Sequence, residues 1–287
     1  MLNGRNMNTK TLPALPAKQE KALKKLLVSL ANKYEVASFC NDDPSQFLCW
    51  YKKSTADIEA ASFLVAMLAF GSRTQFIPKI RQILEEADKT SGSISAWLKT
   101  GTYKKDFPKG SKKFYRFYSY DDMQIFFDEL AAILTASKTM GEYFKTRWKE
   151  ASTRQPSTHL SDIIGQSFPK SRIVPKGRSS ANKRIHMFLR RMVRQNSPVD
   201  LGLWKWYPQA DLLIPLDVHV MQEAQKLGLL PANATASRKT VITLTKKMEE
   251  IFPADPARAD FALFGLGVDG GVTGVSPVRR GSGKPKV

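Results

Sequence analysis

The string Ile214-Pro215-Leu216-Asp217-Val218-His219-Val220 delivers a carboxylate, on a proline-stiffened apolar turn, to the first position of a helix. Aspartate is a preferred N-cap because its side chain accepts the orphan backbone N–H groups there, and that role alone accounts for Asp217. It is compatible with a second one. A carboxylate held by N–H groups is fixed in place and stays ionised, which suits it to stabilise a cation developing nearby. Thirty-four residues upstream (217 − 183), Lys183 opens a basic helix directly after the loop Lys176-Gly177-Arg178-Ser179-Ser180. Backbone N–H groups at such a loop and helix start suit a phosphate. Lys183 therefore reads either as one more phosphate contact or, deprotonated, as a nucleophile, and the sequence leaves both open. The three histidines, His159, His186 and His219, form no ligand cluster by spacing, so neither a metal nor a cofactor is expected.

Helical periodicity supplies the elements that must hold these groups. From Ala17 to Tyr34, Leu23, Leu26, Leu27, Leu30 and Ala31 recur at one helical face. Ser54-Thr55-Ala56-Asp57 is a capping-box start for a helix from Ile58 to Phe70 that is apolar nearly all round and so is expected to be central and buried. It stops at Gly71, and Ser72-Arg73-Thr74 precede a further helix, Gln75 to Ala87. Helices are also predicted over Tyr120–Leu134, Met140–Lys149, Ser237–Phe252 and Pro256–Gly265. Between them, Ile185, Phe188, Leu189, Met192 and Val193 make one apolar stripe that leaves Lys183, Arg190, Arg191 and Arg194 off it, a strongly amphipathic basic helix. Asp217 begins the next, and Gly228 stops it. No run of alternating strands is visible. The expected fold is all-α, about ten helices in two lobes over residues 17–268, with a loose arm at 1–16 and a Gly-, Ser- and Pro-rich disordered tail at 269–287.

The composition bounds the partner. The 287 residues carry 45 Lys and Arg against 26 Asp and Glu, a net charge of +19. The excess is clustered: Lys145 to Arg194 holds thirteen basic residues and only Glu150 and Asp162 as acids, and Lys99 to Arg116 holds seven against Asp106 alone. Such an excess points to a polyanion, with solvated surface charge as the plain alternative. The longest apolar run, Ala60 to Phe70, falls short of the roughly 20 residues that span a bilayer. Two cysteines, Cys40 and Cys49, make neither a disulfide framework nor a four-cysteine metal site. A cytoplasmic monomer, nucleoid-associated if bacterial, is expected.

In order and combination, these strings resemble the helix-hairpin-helix DNA glycosylase superfamily. Loop, Lys183, amphipathic helix and then Pro215-Leu216-Asp217-Val218-His219 looks like its lysine on the second hairpin helix and its aspartate in a Val-Pro-Val-Asp-Val-His turn, in wording nearest to the 8-oxoguanine DNA glycosylases. Asp57 to Gln75 is similar to the family's buried helix and the polar loop that fills the gap left in DNA. Asp260-Phe261-Ala262-Leu263-Phe264-Gly265 looks like the late helix that holds the flipped base. Lys183 to Arg194, with Asp200-Leu201-Gly202-Leu203-Trp204 and Phe261 to Gly267, also resembles a bacterial family of unknown function in this superfamily. The likeness runs over residues 40 to 267. The hairpin here has Gly177 in place of a Gly-x-Gly turn, and the Lys–Asp spacing is longer than is common. No four-cysteine cluster follows Asp217, which excludes the iron–sulfur branch.

The resemblance implies a two-lobed enzyme that removes a damaged base, 8-oxoguanine by its wording, from duplex DNA by flipping the nucleotide out. Lys183 would attack C1′ and form a Schiff base, Asp217 would stabilise the positive sugar and take the lysine proton, and β-elimination through the imine would add an AP lyase activity. Arg184, Arg190 and Arg191 would crowd the lysine. Phe264 would stack on the base and Asp260 would contact its edge. Arg73, or its neighbours Ser72, Thr74 and Gln75, would enter the vacated stack, with Lys176, Arg178, Arg184, Arg190 and His219 on the backbone. Each residue also has an ordinary reading: Phe264 as core, Asp260 and Arg73 as helix surface, His219 as a support for its turn. The alternative for the whole chain is a non-catalytic nucleic-acid-binding protein on the same scaffold.

Overall fold

A computed structural model describes residues 16–41, 44–51 and 53–268. The expected arm and tail lie outside the described residues, except Pro16, which stands just before the first helix. Among the described residues are thirteen α-helices and one two-stranded antiparallel sheet, an all-α fold. Its first helix is α1 (Ala17–Tyr34). Next come α2 (Gln46–Trp50), α3 (Thr55–Leu68), α4 (Arg73–Ser91), α5 (Ile94–Thr100) and α6 (Tyr103–Asp106). The hairpin β1 (Lys113–Tyr115) and β2 (Tyr118–Ser119) leads into α7 (Tyr120–Ala136), α8 (Met140–Arg154) and α9 (Leu160–Gln166). The chain closes with α10 (Lys183–Val193), α11 (Val218–Lys226), α12 (Arg238–Glu249) and α13 (Ala259–Val268). No helix among the described residues is long and apolar enough to cross a membrane.

Local sequence sets the starts of the key helices. Ser54 Oγ accepts from the Asp57 N–H at 3.2 Å and Asp57 returns a carboxylate to the Ser54 N–H at 3.3 Å, closing the capping box that opens α3. Asp57 also accepts from the Ser95 N–H at 2.9 Å, which ties the start of α5 to that of α3. From Ala60 to Leu68 every side chain of α3 is buried, as a helix apolar on all sides requires. At its N-terminal end Glu59 is buried too, and accepts from Trp204 Nε1 at 2.7 Å and the Gly141 N–H at 3.0 Å. Burial pushes the Glu59 carboxyl up against the pull of those donors.

Two large apolar clusters result, with a small third one of Cys40, Val199 and Phe261. The first surrounds α3 with α4, α5, α7 and α10. At its centre Phe63 stacks on Phe168 at 4.8 Å and meets Phe188 edge-on at 5.0 Å. The second joins α1 to α11, α12 and α13, so the first helix packs with the last ones. Leu23, Leu27, Leu30 and Ala31 supply the α1 face, as their spacing predicts. On α13 that close approach needs Gly265: any Cβ there would penetrate the ring of Tyr34 on α1. Gly265→Ala is therefore expected to destabilise the fold by about 1–3 kcal/mol, the usual range for overpacking, read from the midpoint of urea unfolding. Pairing it with Tyr34→Ala should recover part of the loss.

The basic helix α10 departs from expectation. Its apolar stripe is buried as predicted, but Arg190, Arg191 and Arg194 are also only 2 % exposed. Arg190 and Arg194 meet carboxylates rather than water. Arg190 donates to Asp200 at 3.3 Å and to Asp260; Arg194 donates to Asp200 at 2.5 Å, to Asp255 at 2.7 Å and to Glu35 at 2.7 Å. Both guanidiniums lie over the ring of Phe261, at 4.2 and 5.4 Å from its centroid. The long spacing between Lys183 and Asp217 also has a cause. Residues 195–216 fold back along α10, where the Leu201 and Trp204 N–H groups donate to the Arg191 and Met192 carbonyls at 2.8 and 2.7 Å. This segment carries Asp200 to the arginines and Trp204 into the first core.

Candidate functional site

A cleft of about 990 Å³ opens between α3, α10, α11 and α13. Lys183 is the first residue of α10 and Asp217 the N-cap of α11, and the two converge there: Nζ lies 2.7 Å from Oδ2. Both are reachable from solvent, the side chains being 39 % and 28 % exposed. Asp217 does act as the cap that its sequence suggests, because its other oxygen, Oδ1, accepts from the Val220 N–H at 2.8 Å. Burial alone would raise the Asp217 carboxyl. The charge and hydrogen bond of Lys183, the Val220 N–H and His219 outweigh it and hold the group below its ordinary range. Asp217 is thus an ionised carboxylate fixed against an amine.

The cleft also gathers most of the other residues singled out from sequence. Arg73, Arg184, Arg190, His219, Asp260 and Phe264 all line it. Arg73 begins α4 and is exposed at the rim, beside a loop in which Ser72 and Thr74 hydroxyls bond at 2.7 Å. His219 is exposed on α11. Arg184 donates to the Met67 carbonyl at 2.7 Å and lies 5.1 Å from the centroid of Phe70, so it caps the C-terminal end of α3, where a cation suits the helix dipole. Phe264 is half-buried, with edge contacts to Phe39 at 5.2 Å and Tyr34 at 6.2 Å.

Two expectations need correcting. Asp260 is not on a helix surface: it is buried and bonded to Arg190, and complete burial pushes its carboxyl up against that cation's pull. Arg190 is not a solvent-facing phosphate contact, because Asp200 and Asp260 hold it inside. Its charge and that of Arg194 are compensated there, so the crowding of Lys183 by bare cations shrinks to its cleft neighbours. Lys176 and Arg178 lie away from the cleft. Lys176 is exposed and donates to the Pro169 carbonyl at 2.9 Å, while Arg178 borders a separate hollow with Ser237, Arg238 and Lys239. Residues 167–182 connect α9 to α10 as an extended loop rather than a tight Gly-x-Gly turn, and Gly165 on α9 lets the Pro175 carbonyl come within 2.9 Å of where its Cβ would stand.

Sequence reading missed two features of the site. One is the hairpin tip Arg116-Phe117, where Arg116 takes a left-handed φ of 51° and Phe117 is 50 % exposed. Phe117 packs on Phe70 at 5.5 Å and Tyr118 at 4.6 Å, next to the cleft wall and beside a shallow basin that Lys79 and Lys113 also line. A cluster of aromatic residues in a basic stretch was the available signal. The other is Glu223 on α11, buried in the cleft wall. Across the whole cleft, six lysines and arginines face three carboxylates, so its lining is net positive. Among the described residues no group of His, Cys, Asp or Glu is arranged to hold a metal ion.

A family model described as a protein of unknown function, DUF2400, matches residues 43–269. No curated protein and no solved structure matches the chain. The matched stretch takes in the whole first core, α10, Asp217 and α13, and on that extent the chain belongs to the DUF2400 family, whose function is unknown.

Proposed function

We propose that this protein is a DNA glycosylase with AP lyase activity, acting on an oxidised base through a Schiff base at Lys183. The observation that carries the reading is the amine–carboxylate pair at 2.7 Å on the wall of a net-positive cleft large enough for an extruded nucleoside. The resemblance to helix-hairpin-helix DNA glycosylases supplies the reaction class, and 8-oxoguanine is the base its wording favours.

In this mechanism, Lys183 gives a proton to Asp217 across their hydrogen bond and its freed electron pair attacks C1′. The bond from C1′ to the base breaks with its electrons on the leaving base. Asp217 passes that proton on to the leaving base and, ionised again, faces the positive charge that develops on the sugar, where a preorganised carboxylate counts most. Ring opening gives the imine, through which the strand can be cut by β-elimination. Arg73 enters the gap left by the flipped nucleotide and Phe264 borders the base. Lys79, Lys113 and Arg116 hold phosphates beside Phe117, which stacks on a neighbouring base.

The direct test is borohydride trapping: a reducible imine should leave the full chain covalently bound to duplex DNA containing 8-oxoguanine or an abasic site. No adduct on either duplex would refute the reading. A salt bridge that merely joins α10 to α11 is also what a non-catalytic nucleic-acid-binding protein would keep, and that protein would bind both duplexes without adduct. The hairpin tip gives a separate prediction. Phe117→Ala should weaken duplex binding by about 1–3 kcal/mol at fixed salt, the scale of one base–aromatic stack, with no change in thermal midpoint. Titration by fluorescence anisotropy measures it.

A further inference from the structure

We propose that Glu223 reads the edge of the extruded base, accepting a pair of adjacent N–H donors, and so selects a guanine-type base. The inference rests on the glycosylase reading above. Glu223 lies on α11 six residues beyond Asp217 (223 − 217) and lines the same cleft. Its side chain is 8 % exposed. Oε1 accepts from Lys226 Nζ at 2.6 Å, whereas Oε2 is buried with no hydrogen-bond partner among the described residues. Buried polar atoms in native proteins are nearly always paired, and an unpaired carboxylate oxygen in the wall of a net-positive cleft is an acceptor awaiting a donor.

Oε2 itself is closed off from solvent, so a base reaches it only once the cover over the side chain moves. Gly267 on α13 stands opposite, where even a Cβ would come no closer than 3.8 Å to Glu223 Cγ. Lys226, the only cover on Oε1 among the hydrogen bonds of this side chain, is 65 % exposed and long enough to swing out. Asp260, the acid that the sequence resemblance offers for this task, is already held by Arg190.

An ionised carboxylate can only accept. The Watson–Crick edge of guanine presents N1–H and the exocyclic N2–H side by side, which matches two carboxylate oxygens. Adenine presents one amino group next to a bare ring nitrogen, which a carboxylate repels. Thymine-type edges flank their single N–H with carbonyl oxygens. Oxidation at C8 leaves these edges unchanged, so Glu223 would discriminate 8-oxoguanine from 8-oxoadenine although both carry the same lesion.

The experiment measures base release from duplexes containing 8-oxoguanine or 8-oxoadenine, and borohydride trapping on an abasic duplex, for the wild type, Glu223→Gln and Lys226→Ala. Glutamine is nearly isosteric but turns one acceptor into a donor. The wild type should prefer 8-oxoguanine, and Glu223→Gln should narrow that preference by about tenfold to a hundredfold, the worth of a bidentate base contact. Abasic trapping, which involves no base, should be unchanged in Glu223→Gln. Lys226→Ala, at an exposed position, should keep the preference. An unaltered preference in Glu223→Gln, or trapping that falls in step with release, or Lys226→Ala reproducing the loss, would overturn the assignment. Absence of any adduct with the wild type would instead remove the glycosylase reading, and this inference with it.

Discussion

Lys183→Gln should abolish covalent capture on damaged or abasic duplex DNA. Glutamine keeps the length and polarity of the side chain but has no basic electron pair, so no imine can form and borohydride has nothing to reduce. The expected loss is at least about 10³-fold in adduct yield, the order seen when a nucleophile is removed from a site whose other groups remain. Folding should be unaffected. The Lys183–Asp217 pair is partly solvated, with the lysine 39 % exposed, and such pairs contribute about 0–1 kcal/mol. A normal thermal midpoint with no adduct would therefore assign the loss to chemistry. Asp217→Asn is expected to retain the amine but lose the charge that faces the sugar, slowing base release by about 10²-fold to 10³-fold, comparable to loss of one preorganised electrostatic contact. Adduct yield that survives Lys183→Gln would move the nucleophile elsewhere.

Arg194→Met should cause the largest loss of stability. Arg194 is enclosed by Glu35 from the end of α1, Asp200 from the segment behind α10 and Asp255 from the turn before α13. Its removal strands carboxylates in a dry site, and breaking a buried pair from one side typically costs about 3–5 kcal/mol. Against the roughly 5–15 kcal/mol that holds a typical domain together, that leaves a marginal protein, to be measured by urea denaturation near neutral pH. The pH dependence has a definite sign. Burial alone would raise the Glu35 carboxyl, but the charge of Arg194 and hydrogen bonds from Ser197, Arg194 and Arg258 hold it below its ordinary value of 4.5. Its contribution is therefore complete above about pH 4.5 and is lost as pH falls through the lower folded value. In Arg194→Met that carboxylate keeps the hydrogen bonds of Ser197 and Arg258 but loses a cation that offsets its burial, and protonation relieves it. The deficit relative to the wild type should be greatest near neutrality and should shrink on acidification.

These two residues also mark what could be read from the chain. The bounds of α1 and α10 follow from apolar periodicity, and Asp217 caps its helix because its residue type and neighbours demand it. The capping box at Ser54 and Asp57 was equally legible. The short helices α2, α5, α6 and α9 were not, because four to seven residues show too little periodicity to stand out. The hairpin β1–β2 has only five strand residues and no alternating run. The burial of Arg190, Arg191 and Arg194 was hidden for another reason. A helical pattern marks arginine as polar and hence outward, and the acids that hold Arg190 and Arg194 inside come from positions 35, 200, 255 and 260, far apart in sequence. The same distance concealed the commitment of Asp260 to Arg190, and nothing in the spacing of Glu223 pointed to its unpaired oxygen.

The pairing of α1 with α13 fixes an order of assembly during translation. The elements of the first core follow one another closely in the chain and can collapse while later residues are still in the ribosome. The leucine face of α1 must wait, since the helix that covers it is made only with residues 259–268. Until then a newly made amphipathic helix stays without its final neighbour, tethered to an already folded body. Closing so long-range a contact is intrinsically slow, and the Glu35–Arg194 bond ties the end of the waiting helix to α10.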